Sequence, residues 1–409
     1  MREVSCWLST PSPETFPYEL VVDDFLRVGK HFVAEELLDL LHEARQRLPG
    51  TSGAARARGQ LAAFLDVALD KRDKRYDYVS YLALPLLPLP GADSQNAQDV
   101  AGLSIRRQHD RLFMHLIADT IRFELDVLGG RCQLLPRLRP CARTAVKRLR
   151  LAARVVRPPM SRLGLAALSS EPGAGIGRDT LAIAGGLVAA ADADLGAHDR
   201  RMFRLTMLPV WTAHDEYMFI RVLQAFETTF ALLAARLQVA VTALADRSPV
   251  LALTAINEAE KSLRETALTF SLMATMQMTS FLTFRQYTEG ASAIQSRSYK
   301  IVESLCAQPQ RSRLDSAAYL SVPEVRGKLI SGQPNLQDLL IAARRSWLPP
   351  AAHSDLAAAM LKFESALLQW RQTHYRLAVR MLGDRSGSGY TEGTPYLNST
   401  RSLRVFSLS

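Results

Sequence analysis

A chain of 409 residues with 48% hydrophobic and 22% charged residues can bury a large core, which excludes a disordered protein and points to two domains or one with insertions. No run approaches the roughly 18 to 20 unbroken apolar residues of a membrane span, and the N-terminal MREVSCWLSTPSPETF lacks a signal peptide's apolar stretch, so a cytoplasmic protein is expected. Cys6, Cys132, Cys141 and Cys306 are scattered, against both a cysteine-held metal and a disulfide framework, while a formal charge of +10 raises the question of nucleic acid.

Apolar residues recur at helical spacing in 31–47, 59–71, 109–128, 141–157, 214–243, 250–285, 292–306, 335–346 and 353–382. Strand alternation is nearly absent, so an all-α fold is expected. Breakers separate the helices at LPGTSGAARARG, at LPLLPLPGADSQ (84–95), at RPPM (157–160) and at SSEPGAGIGRD (169–179). No repeat favours a solenoid.

The charge belongs to one segment. Between Arg131 and Arg162 stand ten Lys/Arg and no Asp/Glu. Within it Ala145, Leu149, Ala152 and Val156 share an apolar stripe, while Arg143, Lys147, Arg150, Arg154 and Arg157 take the other face. Such a helix suits an anionic surface or simply a solvated face. With no aromatic interleaving, nucleic acid is not expected as a partner. The glycines of GAGIG (Gly173, Gly175, Gly177) lack the preceding strand that a dinucleotide loop requires and read as a linker.

Near the C-terminal end, Phe363, Leu367, Trp370, His374, Leu377 and Met381 fall on one helical stripe. A histidine there is either a hydrogen-bonded core residue or a neutral imidazole suited to heme iron. Arg285 closes the otherwise apolar LMATMQMTSFLTFR. As a fixed fork of donors it can grip an amino acid carboxylate, or face solvent at a helix end.

Four stretches resemble, in order, the tryptophan 2,3-dioxygenase family: YDYVSYLAL with Tyr78 and Tyr81, HDEYMFIRVLQAFETTF from His214, FLTFRQYTEGASAIQSRSYKIVE, and WRQTHYRLAVRMLGDRSGSGY. The resemblance covers roughly 75–90 and 211–400. It implies an all-α helical-bundle heme-binding domain (75–95 with 209–409), preceded by an N-terminal helical extension (1–74) and interrupted by an inserted helical segment (96–208). The cofactor implied is heme b, with His374 as proximal iron ligand and Trp370 and Tyr299 beside it. Tyr78, Tyr81, Phe219 and Phe281 would enclose an aromatic ring, and Arg285, Ser292 and Ser388 would hold the amino acid part.

Two departures stand out. Leu223 occupies the family's distal histidine position and can neither accept a proton nor donate a hydrogen bond. The related indoleamine dioxygenases also lack that histidine. Tyr390 replaces a loop glycine. The His214–Asp215–Glu216 triplet matches a motif outside the iron's coordination sphere and reads as helix-start architecture rather than a metal triad. The implied function is a heme-dependent dioxygenase acting on L-tryptophan or a derivative, giving an N-formylkynurenine-type product in specialised metabolism. Monooxygenation of an indole or tyrosine-type substrate, and a non-catalytic heme or amino-acid sensor, are the alternatives. Expected partners are the aromatic amino acid and O2, with a homo-oligomer, dimer or tetramer, as the assembly.

Overall fold

The computed structural model describes residues 1–407 except 49–54, 92–102, 166–177 and 384–392. The GAGIG linker, Ser388 and Tyr390 therefore lie outside the described residues. Among those described the fold is all-α as expected, with no strand and one isolated bridge between Arg137 and Ala213.

The N-terminal part holds α1 (Arg2–Ser9), α2 (Tyr18–Val28), α3 (Glu35–Gln46), α4 (Ala55–Ala68) and the one-turn α5 (Tyr78–Tyr81). The next segment carries α6 (Leu103–Leu128), α7 (Ala142–Arg162), α8 (Arg178–Asp194) and α9 (Ala197–Leu205). Then follow α10 (His214–Ala245), α11 (Pro249–Thr266), α12 (Phe270–Met273), α13 (Met278–Arg285) and α14 (Arg297–Cys306). The short α15 (Arg311–Leu314), α16 (Ala317–Leu320) and α17 (Pro323–Ile330) lead to α18 (Leu336–Ser346), α19 (Pro350–Leu382) and α20 (Thr394–Thr400).

Helix α10 is the axis. Thirty-two residues without Gly or Pro let it run unbroken, and α6, α11, α13 and α14 pack around it. It is long and apolar enough to cross a membrane, yet it lies largely buried among other helices as the core element of the fold. One core joins Leu116, Ile117 and Val156 of α6 and α7 to Val222 and Phe226 of α10 and Phe363 of α19. The 96–208 segment thus shares its interior with α10 and α19. A second core gathers Phe25, Leu41 and Phe64 with Tyr78, Tyr81 and Leu208.

Three expectations change. The single helix expected over 250–285 is broken between α11 and α13, where Gln277 turns extended. Its amide donates to Asp215 Oδ2 at 2.7 Å, and Arg148 donates to Thr275 Oγ1 and O at 2.9 and 3.1 Å, so tertiary partners replace the lost helical bonds. At 157–160 the two prolines do not end α7, which runs to Arg162. They fall in its last turns, and Arg162 is pinned there by Asp110 and Glu265, both at 2.7 Å. The ARARG part of the first breaker lies in α4.

One glycine position needs its missing side chain. Gly29, at φ +86°, sits so close to the 209–211 loop that a Cβ would lie 2.6 Å from Trp211 Cα. The approach lets Lys30 N donate to Pro209 O at 2.7 Å and His31 N to Val210 O at 3.2 Å.

Candidate functional site

A cavity of about 260 Å³ opens between α5, α10, α12, α13, α14, α19 and α20. Ten of the residues singled out in the sequence line it: Tyr78, Tyr81, Phe219, Leu223, Phe281, Arg285, Ser292, Tyr299, Trp370 and His374. They come from four separate stretches of chain, and α10 and α19 bring the aromatic and imidazole groups together.

The α19 wall is built on the stripe seen in the sequence. The His374 ring lies 5.5 Å from Trp370 and 6.3 Å from Phe270, nearly parallel to the latter at 19°. It makes no hydrogen bond or ion pair among the described residues, and burial drops its pKa to about 4, so the imidazole is neutral near pH 7. Trp370 is wedged edge-on between Phe226 (5.7 Å) and Phe230 (5.3 Å), its buried Nε1 without a hydrogen-bond partner among the described residues. A neutral nitrogen donor framed by rings results.

Beside it the wall turns cationic. Glu303 is shared by Arg371 (2.6 Å), Arg313 (2.7 Å) and Lys300 (3.3 Å), and Arg371 Nε donates to Tyr299 Oη at 2.6 Å. Burial alone would raise the Glu303 carboxyl, but the three cations hold it at about 2. Burial, with Arg313 and Arg371 nearby, pulls Lys300 down to about 8 against the attraction of Glu303. Three cations share one carboxylate, and Lys300, Arg313 and Arg371 all line the cavity. The sequence reading missed Arg371, although it directly follows Trp370.

The opposite wall is aromatic with two buried carboxyls behind it. Phe219 packs against Phe281 at 5.8 Å and Phe284 at 5.2 Å, with Tyr81 at 6.5 Å. Tyr81 donates to Glu216 Oε1 at 3.3 Å, and Tyr78 to Glu227 Oε1 at 3.1 Å. Both tyrosines are therefore fixed by α10. Glu216 also accepts from the amides of Val210 and Trp211 at 2.6 and 3.1 Å. Glu227, one turn beyond Leu223, went unnoticed in the sequence despite its i+4 spacing on a cavity-facing stripe. Burial raises its pKa to about 7, against the hydroxyls of Ser296, Tyr78 and Ser298.

Arg285 ends α13, half-buried on the cavity wall. Ser292 closes a capping box with Gln295, so its oxygen already accepts a backbone hydrogen bond. Gln295 Oε1 in turn accepts from Tyr78 N at 2.8 Å, tying α5 to this turn. The His214–Asp215–Glu216 triplet ties α10 to its neighbours: His214 Nε2 stands 3.2 Å from Glu124 of α6, and Asp215 pairs with Arg148 of α7 at 2.7 Å. Among the described residues no group of His, Cys, Asp and Glu is arranged to hold a metal ion.

No family model matches the chain. It is similar to the tryptophan 2,3-dioxygenase of Caulobacter vibrioides, 26% identical over 234 residues that make up 48% of this chain and 88% of the relative. Against that of a Nocardioides species the identity is 26% over 226 residues, 48% of this chain and 83% of the relative. Against that of Burkholderia mallei it is 22% over 227 residues, 47% and 74% respectively. The chain is a distant relative of these dioxygenases. The similarity reaches under half of its length.

Proposed function

We propose that this chain is a heme-dependent oxygenase of an aromatic amino acid, with L-tryptophan or a derivative as the first candidate. The observation that carries the reading is His374: a neutral, cavity-lining imidazole between Trp370 and Phe270, next to a wall with surplus positive charge. That donor set fits a heme. His374 would ligate the iron, Trp370 would flank the macrocycle, and Arg371, Arg313 and Lys300 would meet its carboxylate side-arms. The similarity to tryptophan 2,3-dioxygenases supports both cofactor and substrate class.

A bound heme would supply the iron at which oxygen is activated. The chain's own residues do the rest. Phe219, Phe281 and the fixed Tyr78 and Tyr81 enclose an aromatic ring and exclude water. Arg285 supplies a bidentate partner for the substrate carboxylate. Leu223 gives the α10 wall no proton acceptor at that position, so the residue shapes space and moves no proton.

Dioxygenation to an N-formylkynurenine-type product is the first outcome. Leu223 is also what favours a second, monooxygenation of an indole or a tyrosine-type ring. The divergent cavity and the 96–208 segment fit specialised metabolism in the cytoplasm. The test is the visible spectrum of heme-loaded protein, followed by mass spectrometry after incubation with reductant, oxygen and tryptophan or tyrosine. A Soret band with two oxygen atoms gained supports the first outcome, and one atom the second. A Soret band without oxygen consumption indicates a sensor, and a colourless protein despite ample heme sinks the reading.

A further inference from the structure

Exposed cations on several helices are paired within a turn: Arg27 with Asp24, Arg264 with Glu260 and Arg311 with Asp315. Helix α7 has no acidic residue of its own. Carboxylates from α6, α10 and α11 reach its Arg148 and Arg162. Arg143, Lys147, Arg150 and Arg154 are exposed and make no ion pair or hydrogen bond among the described residues. Steps of four, three and four residues put them on one stripe about 16 Å long, at roughly 1.5 Å per residue. Like charges at that spacing repel one another, so the stripe is a cost to the free protein. It begins beside an apolar spot. Leu138, on the loop entering α7, is 40% exposed and Met278 52%. Gln277 Nε2 donates to Leu138 O at 2.8 Å, which draws the two together.

We propose that the outer face of α7, with Leu138 and Met278 at its end, docks an acidic helical segment of another protein. An acidic helix carries carboxylates at the same three- and four-residue steps and can set an apolar side chain at one end of the row. It therefore meets both parts of the surface, as protein interfaces join apolar contacts to a charged rim. A lipid surface fits less well. The apolar stripe of α7, Ala145, Leu149, Ala152 and Val156, is buried in the fold, so this helix has no apolar face left to enter a bilayer. Nucleic acid would reward the cations but not Leu138 or Met278, and α7 offers no aromatic ring for a base to stack on. A second copy brings the same formal charge of +10, which repels the stripe rather than complementing it. The docking face is independent of the heme and substrate readings.

The test is a fluorescence-anisotropy titration of the full-length chain with a labelled helical peptide that carries glutamates at steps of four, three and four and a leucine at each end. Reversing Arg143, Lys147, Arg150 and Arg154 to glutamate should weaken binding about tenfold or more, the sum of four surface pairs that are weak singly. Should that variant fold poorly by circular dichroism, the four glutamine replacements should weaken binding in the same direction. Met278→Ser should weaken the peptide about three- to tenfold and leave poly-L-glutamate, which has no apolar side chain, nearly unchanged. Reversing the paired Arg27, Arg264 and Arg311 should stay within about twofold of wild type, which separates the stripe from net charge. Equal losses in the two reversal sets, no binding by wild type, or no effect of Met278→Ser overturns the proposal. So does tighter binding of duplex DNA or of phosphatidylserine vesicles than of the peptide. Self-association in sedimentation velocity that the α7 reversal abolishes gives the face to a second copy and overturns it as well.

Discussion

Two buried charge networks flank α10, and they are built in opposite senses. Between α6, α7 and α10, Arg148 is shared by Glu124 at 2.9 Å and Asp215 at 2.7 Å, with His214 against the same Glu124. Between α14 and α19, Glu303 is shared by Arg371, Arg313 and Lys300. The first gives one guanidinium two carboxylates and does not line the cavity; the second gives one carboxylate three cations and does. Similar side chains thus form an internal staple in one place and a cationic stretch of cavity wall in the other. The sign of the imbalance, and whether a ligand can reach it, separates the two.

The largest effect that would break this contrast is loss of the cofactor itself. His374→Ala should abolish stable heme binding while circular dichroism stays helical, because the stripe keeps its other apolar members. Unchanged heme content and Soret position would remove the iron from this wall.

Next in size is Glu303→Ala, which leaves three cations buried around a void and should cost about 3 to 5 kcal/mol in denaturant unfolding. Heme should restore part of that loss, its carboxylate side-arms standing in for the missing one. Glu124→Ala should cost a similar amount in the apoprotein and gain nothing specific from heme. Equal responses to heme in the two variants would erase the distinction between the networks.

A smaller effect appears in pH dependence. Glu227 and Glu216 have carboxyls raised from 4.5 to about 7 and about 8 by burial. The unfolded chain releases these protons first, so apoprotein stability should fall as pH rises from about 4.5 through 7 to 8. Glu303 runs the other way: held at about 2, its contribution is full above about 4.5 and fades as pH falls toward 2. Denaturation midpoints across pH 5 to 8 should show a shallower decline for Glu227→Gln, with the part due to Glu216 remaining. An unchanged slope would place the Glu227 proton elsewhere.

The smallest effect belongs to the outer face of α7. Reversing Arg143, Lys147, Arg150 and Arg154, all exposed, to glutamate should leave heme content and turnover as they were, with stability within about 0.5 kcal/mol per substitution. Loss of turnover with heme retained would make that face part of the site.

These differences also mark where the sequence was legible. The long periodic helices α6, α10 and α19 were visible because one face is continuously apolar, and the aromatic and imidazole members of the cavity followed from their stripes and from the resemblance. Short helices such as α1 and α15 to α17 carry too few turns to show a period. Charge was harder to read. Arg148 sits in the basic run yet is buried, and Arg162 ends the same run tied to two carboxylates. Their partners lie 24 to 103 residues away in sequence, so composition could locate the excess but not say which cations were already spent. Glu227 escaped because a glutamate inside AFETTF looks like a solvated break in an apolar helix until α5 and α14 close over it.

The Gly29 contact gives the N-terminal helices a mechanical role. Lys30 and His31 support the 209–211 loop, that loop donates two amides to Glu216, and Glu216 receives the Tyr81 hydroxyl on the cavity wall. The relay runs from the chain's first tenth to the aromatic cavity wall in three links, and a side chain at position 29 would collide with the backbone at the first. The N-terminal helices therefore work as a splint. Shortening the chain past residue 31 would loosen the aromatic wall of the cavity, although no cavity-lining residue had been removed.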